Sequence, residues 1–355
     1  MARKITKLSL PLAGDEKFDE IIDVRAPVEF AEDHMSGALN LPVLNDEERE
    51  KVGTIYKQES SFEARRIGAA LVARNIARHL ETHFLDKPKD YRPLIYCWRG
   101  GQRSGAMATI LNDVGWNVTL INQGYRAYRK VVIDTFEKIA GELKLVVLNG
   151  YTGAGKTLVL KAIRAKGGQV LDLEGLAEHK GSVFGGDLEV PQPAQKRFES
   201  LIYDGLSQFD LSQTVFAEAE SAKIGRLNLP NPLWQKMKQA GVIEIDSPLS
   251  ARADFLTDDY SEWVSDSGRI SMTLDRLGDF QSKAKIADWK EMVRLGQYRE
   301  FVGDLLAEHY DKKYNVSGDG NYAVPSQSVR LDHHDPESVS ACADEVIRVG
   351  EEMVT

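Results

Sequence analysis

Residues 143–157 read LKLVVLNGYTGAGKT, an apolar run that leads directly into a glycine-rich loop. The run has the length and composition of a buried parallel strand, and the loop matches the P-loop pattern G-x-x-x-x-G-K-[ST] ahead of a predicted helix. Backbone N–H groups of such a loop bind phosphate oxygens. The residues expected to do so are Gly150, Gly153, Gly155, Lys156 and Thr157. Thr157 is also the expected ligand of a Mg²⁺ ion, so this stretch predicts a P-loop α/β domain that binds a diphosphate group.

A second loop suited to anions lies upstream, where Cys97–Ser104 reads CWRGGQRS. Its glycines allow a sharp turn that points successive N–H groups inward. These groups and the nearby arginines would stabilise a thiolate, or a persulfide or perselenide anion, so Cys97 is the expected catalytic residue. The other residues assigned to this loop are Trp98, Arg99, Gly100, Gly101, Gln102, Arg103 and Ser104. Trp98 is interpreted equally well as a stacking surface for a base or an apolar group and as loop packing.

Strand-like and helix-like segments alternate on both sides of the P-loop, which predicts parallel sheets with helices on both faces. The expected strands are 21–24, 94–97, 118–121, 143–148, 169–173, 214–217 and 241–245. The expected helices include 64–83, 104–114, 128–139, 156–166, 193–206 and 338–353. We predict a first domain over residues 1–140, a P-loop domain over 141–300 and a helical C-terminal extension over 301–355 that packs on the P-loop domain.

The composition excludes several classes of protein. There is no run of 18 apolar residues and no signal peptide, so no membrane span is expected, and two cysteines in 355 residues fit a reducing cytoplasm rather than a disulfide framework. The net charge is −9, which argues against general nucleic-acid binding, yet residues 58–130 carry a net +6 and the remainder −15. This basic zone suits contacts to phosphate groups, and it contains Arg65, Arg66, Arg74, Arg78, Arg126, Arg129 and Lys130.

Three carboxylates are candidates for the metal side of the P-loop. Asp172 ends a predicted strand, and Glu218 and Glu220 follow another. No NKxD motif is present, so guanine specificity is not supported. His333-His334, in a polar segment, is interpreted as solvated.

Four segments around the cysteine loop resemble rhodanese-type sulfurtransferases. They are the loop itself, Asp23-Val24-Arg25 with the Glu29-Phe30 that follows, the segment His34–Asn40 (HMSGALN), and the pair Gly124-Tyr125. The resemblance implies that Cys97 is a nucleophile or a chalcogen carrier and that Arg99 and Arg103 contact the anion.

A rhodanese-like domain followed by a P-loop domain resembles the bacterial tRNA 2-selenouridine synthase family. The resemblance extends to Asp172–Gly175 (DLEG) and to residues 179–185 (HKGSVFG). It implies a transferase that converts wobble 2-thiouridine into 2-selenouridine in the Lys, Glu and Gln tRNAs through an S-geranyl intermediate. Geranyl diphosphate and selenophosphate are the implied co-substrates, and selenophosphate synthetase is a candidate partner. The seven basic residues named above are then the expected contacts to the tRNA backbone.

Two other functions fit the same motifs. One is an ATP-dependent tRNA thiolation enzyme, or a small-molecule kinase, with a sulfurtransferase domain. The other is a non-catalytic regulatory module, against which the intact Cys97 and Lys156 argue.

Overall fold

The computed structural model describes residues 5–12, 16–179, 191–259, 267–312, 322 and 325–354. The chain divides into two compact units. The first comprises Met1–Phe136 together with Pro193–Asp204, and the second comprises Glu137–Gln192 together with Gly205–Thr355. Within the described parts of the chain, no helix is both long enough and apolar enough to cross a membrane.

The first unit contains a parallel sheet of five strands in the order β1-β5-β4-β2-β3. The strands are β1 (Thr6–Leu8), β2 (Glu20–Asp23), β3 (Ala38–Asn40), β4 (Pro93–Tyr96) and β5 (Thr119–Ile121). All four residues of the central strand β4 are buried, as expected for a strand covered on both faces. Asp23 and Tyr96 are paired at the carboxyl ends of β2 and β4, so the residues that follow them meet at one edge of the sheet.

Helices cover this sheet, and their limits follow from local chemistry. They are α1 (Pro27–Glu32), α2 (Asp46–Gln58), α3 (Ser61–His79), α4 (Gln102–Val114) and α5 (Tyr125–Glu142). Ser60 caps α3 by accepting hydrogen bonds from Phe62 N and Glu63 N. The helix α4 ends at Gly115, whose φ of +114° stops the helical repeat. A π-helical turn, Leu80–Phe84, extends α3.

The second unit contains another parallel sheet, with strands in the order β12-β11-β6-β8-β7. Its strands are β6 (Lys144–Asn149), β7 (Gln169–Leu171), β8 (Thr214–Glu218), β11 (Gly241–Asp246) and β12 (Gln327–Arg330). A separate antiparallel pair is formed by β9 (Lys223–Ile224) and β10 (Leu227–Asn228). The apolar run of residues 143–148 thus forms the middle strand β6, and the P-loop leaves its carboxyl end.

Among the described residues, the helices that follow β6 are more numerous than those that precede it, and after β11 they outnumber the strands. They are α6 (Lys156–Ala165), α7 (Leu173–Leu176), α8 (Gln195–Leu206), α9 (Asn231–Gln239), α10 (Leu249–Asp259), α11 (Ser267–Asp275), α12 (Lys283–Arg294), α13 (Tyr298–Leu305) and α14 (Pro336–Val354). Buried residues of α6 and α14 share one apolar core with β6 and β11. A second core, centred on the fully buried Trp289, joins α11, α12 and α13. Two parallel α/β sheets and a mostly helical C-terminal region confirm the predicted fold class.

Most of the helix α8 belongs to the first unit, which includes its residues up to Asp204. Within that unit the Ser200 hydroxyl donates to Asp33 Oδ2 at 2.9 Å, and Tyr125 donates to the same oxygen at 2.8 Å. Asp33 and Ser200 are both fully buried. Burial raises the pKa of Asp33, which the two hydroxyl donors partly offset. A polar contact therefore ties α8 to residues that lie more than 160 positions earlier in the sequence.

Candidate active sites

Cys97 follows β4 directly and is buried at 3 % exposure. Its Sγ accepts a hydrogen bond of 3.2 Å from the hydroxyl of Ser104, a fully buried residue in the first turn of α4. A hydroxyl donor at this position stabilises negative charge on the sulfur. The structure therefore brings Cys97 and Ser104 together as the sequence suggested.

The loop backbone is fixed from the other side by the start of α5. Tyr125 N donates to the carbonyl of Cys97 at 2.8 Å, and Arg126 N donates to the carbonyl of Trp98 at 3.2 Å. Gly124 makes this approach possible, since a Cβ there would lie 2.0 Å from the Cys97 oxygen. The Gly124-Tyr125 pair thus holds the cysteine loop in place.

The two arginines assigned to this loop have different surroundings. Arg99 is exposed, whereas Arg103 donates to both carboxylate oxygens of Glu29, at 2.6 and 3.2 Å. Burial raises the pKa of Glu29, but the hydrogen bond and charge of Arg103 outweigh it, so this pKa lies below its ordinary value. Arg103 therefore ties the loop to α1, and an anion would have to compete with Glu29 for it.

A fully buried arginine supports the loop from beneath. Arg25 donates from Nε and Nη2 to Asp23, with the Nη2 bond at 2.6 Å, and its guanidinium carbon lies 4.0 Å from the centre of the Tyr125 ring. Burial lowers the pKa of Arg25, and Asp23 more than restores it, so the side chain is held charged. The Asp23-Val24-Arg25 motif is thus part of the scaffold that positions Tyr125 and, through it, Cys97.

The P-loop lies in the second unit, between β6 and α6. Gly150, Gly153 and Gly155 all have positive φ, and a Cβ at Gly155 would lie 2.7 Å from His334 Cδ2. Lys156 Nζ donates to the carbonyl of Gly150 at 2.8 Å. The lysine ammonium is therefore already directed back over the loop that would hold the phosphates.

Acidic side chains gather beside Thr157. Its hydroxyl donates to Glu174 Oε2 at 3.4 Å, and the backbone N–H of Glu174 donates to Glu218 Oε1 at 2.5 Å. Burial, then the hydrogen bond and charge of Glu174, raise the pKa of Glu220 to about 8. Burial raises the pKa of Glu218 well above its ordinary value, with Asp172 and Glu174 adding to the shift. Asp172 caps α7 by accepting from Gly175 N at 2.8 Å.

This cluster suits a cation that arrives with phosphate. Glu218 Oε2 is buried and accepts no hydrogen bond from the described part of the chain. Thr157, which supplies a hydroxyl oxygen, is linked to Glu218 through Glu174. No group of three or more His, Cys, Asp or Glu side chains with metal-site geometry occurs among the described residues. Mg²⁺ commonly uses only one or two carboxylates, with substrate phosphates and water completing its shell, so Thr157 and Glu218 fit that ion.

Sequence reasoning missed three residues that shape the P-loop site. Glu174 connects Thr157, Glu218 and Glu220, and only its place in the DLEG segment pointed to it. Arg252 is buried, donates to the Thr152 carbonyl at 3.2 Å and pairs with Asp311. The interpretation of His334 as solvated is wrong, because its half-buried ring packs against Gly155 and stacks on Phe255 at 4.7 Å.

The expected tRNA contacts separate into two groups. Arg126, Arg129 and Lys130 lie on α5 and line one pocket with Trp98. The other four, Arg65, Arg66, Arg74 and Arg78, are exposed on α3 and are not part of that pocket. Most of the HKGSVFG segment, residues 180–185, lies outside the described residues.

Comparisons with known proteins identify both units. A rhodanese-like domain model matches residues 7–131, and a model described as the tRNA 2-selenouridine synthase AAA domain matches residues 143–283. A tRNA 2-selenouridine synthase of Nitrosomonas europaea is 40 % identical over 68 % of this chain and 63 % of its own length. Others, from Sulfurovum sp. and Psychromonas ingrahamii, are 33 % and 35 % identical and are covered over 89 % and 86 % of their lengths. The chain thus spans less than two thirds of the Nitrosomonas relative but most of the other two.

Proposed function

Because the chain belongs to the tRNA 2-selenouridine synthase family, we propose that it replaces sulfur by selenium at wobble 2-thiouridine in the Lys, Glu and Gln tRNAs. The observation that carries this proposal is the buried Cys97 thiol with its Ser104 donor, on the same chain as a P-loop flanked by acidic residues. The first site suits attack at a carbon that bears sulfur, and the second suits release of a diphosphate. The two sites would serve two successive steps on one base.

The first step is geranyl transfer at the P-loop. The 2-thio sulfur attacks the first carbon of geranyl diphosphate, the carbon–oxygen bond breaks with its electrons on the diphosphate, and the N3 proton passes to solvent. Lys156 and the loop N–H groups would stabilise the departing charge, as preorganised donors do for anionic leaving groups. Thr157 and Glu218 would hold a Mg²⁺ ion, which supplies further charge neutralisation when bound. The product is a thioether, a better leaving group at C2 than a thiocarbonyl sulfur.

The second step is selenium delivery at Cys97. The Cys97 thiol loses its proton to solvent and the thiolate attacks C2. The C2–S bond to the geranylthio group then breaks, and the geranylthiolate takes a proton from solvent and leaves as geranylthiol. The selenium of selenophosphate then attacks C2 and displaces the Cys97 thiolate, and water cleaves the Se–P bond to give phosphate. No oxidant or reductant is consumed. Ser104 would stabilise the Cys97 thiolate before attack and again when it departs.

Two variants separate the steps. Cys97→Ser should abolish 2-selenouridine formation and leave geranylation of 2-thiouridine largely intact, because the P-loop is unchanged. Lys156→Ala should lower geranylation by about 10²-fold or more, the usual effect of removing one oxyanion donor. The measurement is mass spectrometry of nucleosides from tRNA incubated with geranyl diphosphate alone, which reports geranylation, and with geranyl diphosphate and selenophosphate together, which reports 2-selenouridine.

Three results would contradict the proposal. Equal loss of both products in a folded Cys97→Ser variant would remove the division of labour. Unimpaired geranylation by Lys156→Ala would remove the P-loop as the diphosphate site. Turnover that needs ATP and no prenyl diphosphate would favour the thiolation enzyme or kinase instead.

A further inference from the structure

A pocket of about 330 Å³ opens beside the cysteine loop, entirely within the first unit. Its volume lies at the lower end of the range for ligand sites, about 300–1,000 Å³. Its lining includes Trp98, Ile133 with neighbouring residues of α5, and Lys196 of α8. The pocket is thus reached by the residue adjacent to the nucleophile.

The indole of Trp98 is a positioned aromatic surface. It stacks on the Tyr125 ring with centroids 5.2 Å apart and planes at 28°. Tyr125 is in turn bonded through its N–H to the carbonyl of Cys97. The half-buried indole therefore has a fixed place relative to the Cys97 loop, as a surface that receives a base requires.

The charges around the pocket are mostly positive. Four cations and one carboxylate, Asp134, line it. Arg129 pairs with Glu199, and Lys196 pairs with Glu32 at 2.7 Å. Arg126 and Lys130 are exposed, lie four residues apart on one face of α5, and form no side-chain ion pair within the described residues. An aromatic wall beside two cations that form no ion pair among the described residues matches the two halves of a nucleotide, its base and its phosphate.

We propose that this pocket holds one unpaired nucleotide of the tRNA anticodon loop, a neighbour of the base that reacts at Cys97. The inference rests on the proposed function, which supplies the RNA. A geranyl chain would use Trp98 and Ile133 but would leave the cations without a role. A free anion would use Arg126 and Lys130 but would leave the indole without one. Geranyl diphosphate carries both an apolar chain and charge, but the proposed function places its diphosphate at the P-loop. A nucleotide is therefore the occupant that uses both, and its capture would hold the wobble base beside the thiol.

The test measures binding of an anticodon stem-loop RNA to the full chain at several salt concentrations. Trp98→Ala should weaken binding about 5- to 150-fold, the range for loss of one base–aromatic stack, whereas Trp98→Phe should retain most of it. Lys130→Ala should lower the slope of log affinity against log salt by about 0.7–0.9, the value for one phosphate contact. Lys138→Ala, an exposed lysine on the same helix outside the pocket, is the matched control and should change neither quantity.

Abasic substitution identifies the nucleotide. When the RNA lacks the base next to the wobble position, Trp98→Ala should cause no further loss of binding affinity, because the stack is already lost. Equal costs of Trp98→Ala on intact RNA and on every abasic RNA would overturn the inference. An effect of Trp98→Ala on binding that is seen only with geranylated RNA would also overturn it, because the pocket would then belong to the prenyl group. So would displacement of the RNA by inorganic phosphate at the same phosphate concentration in the wild type and in both Trp98 variants.

A second readout separates this inference from the function beneath it. The pocket assignment alone would be refuted if the wild-type protein forms 2-selenouridine but Trp98→Ala weakens binding equally on intact and on abasic RNA. Wild-type protein that forms no 2-selenouridine when both geranyl diphosphate and selenophosphate are present would refute the proposed function, and with it this inference.

Discussion

Gly124 lies where the start of α5 meets the cysteine loop, and no larger residue fits there. A Cβ would lie 2.0 Å from the Cys97 oxygen and 2.8 Å from Gly100 N, both backbone atoms that cannot rotate away. Its φ of +55° adds a backbone cost for any other residue. The loop that presents Cys97 therefore depends on this residue although it carries no chemistry.

We expect Gly124→Ala to lower the free energy of unfolding and to impair selenium transfer. Gly37→Ala is the matched control, because Gly37 has a similar φ of +73° with nothing within 4 Å of its Cβ position. The control should cost roughly 1 kcal/mol from φ alone, and Gly124→Ala should cost about 1–3 kcal/mol more through overpacking. Urea unfolding measures both. Equal costs in the two variants would mean that the loop moves aside freely.

Individual site residues differ in whether the sequence could predict them. Cys97, Ser104, Lys156 and Thr157 were predictable because each stands at a fixed spacing from glycines and from a strand end. The pairing of Arg103 with Glu29 was not, since the two are 74 residues apart and meet only when α1 packs beside the loop. Arg252, His334 and Asp33 were missed for the same reason. Short-range patterns predict loops, whereas the polar contacts that support them come from distant elements.

At the scale of elements, buried strands were predictable even when short, as for β5 and β7, whereas strands with exposed residues were not. Several long helices were predictable, but the 13-residue α2 was not. The run LKLVVL reads as a buried strand because all-apolar runs mark strands covered on both faces. The three-residue strands β1 and β3 have exposed residues and no periodicity to detect. The strand β12 also lies mostly exposed at the sheet edge, so residues 301–355 contain a strand as well as helices.

The helix α8 offers an element-scale prediction, since one of its contacts to the first unit is buried and another is exposed. Ser200→Ala leaves the buried Asp33 oxygen with one donor fewer and should cost about 1–3 kcal/mol. Lys196→Ala removes an exposed ion pair on the same helix and should cost at most about 1 kcal/mol. Urea unfolding followed by tyrosine and tryptophan fluorescence compares them. The reverse ranking would show that surface charge, not the buried hydrogen bond, anchors α8.

For the whole molecule, charge and chain path both bear on the division of labour. Residues 58–130 carry the net positive charge and contain the cysteine loop, whereas the remainder is strongly acidic. On the proposed function, the RNA backbone would meet the positive charge of residues 58–130 rather than the acidic remainder of the chain. The chain path is less simple, because residues 193–204 return to the first unit after β6, β7 and the P-loop have been completed.

The returning helix leads to a prediction about the whole first unit. A fragment of residues 1–140, the boundary predicted from the sequence, lacks the Ser200–Asp33 hydrogen bond, the Glu199–Arg129 ion pair and the Tyr203–Tyr128 ring contact. We compare this fragment with the same fragment joined by a flexible linker to residues 193–206. The free energy of unfolding of the shorter fragment should be lower by about 2 kcal/mol or more, because its buried polar contacts are lost. The linked fragment carrying Ser200→Ala is the control and should fall between them. Coincident unfolding curves for all three would show that the first unit is complete without α8.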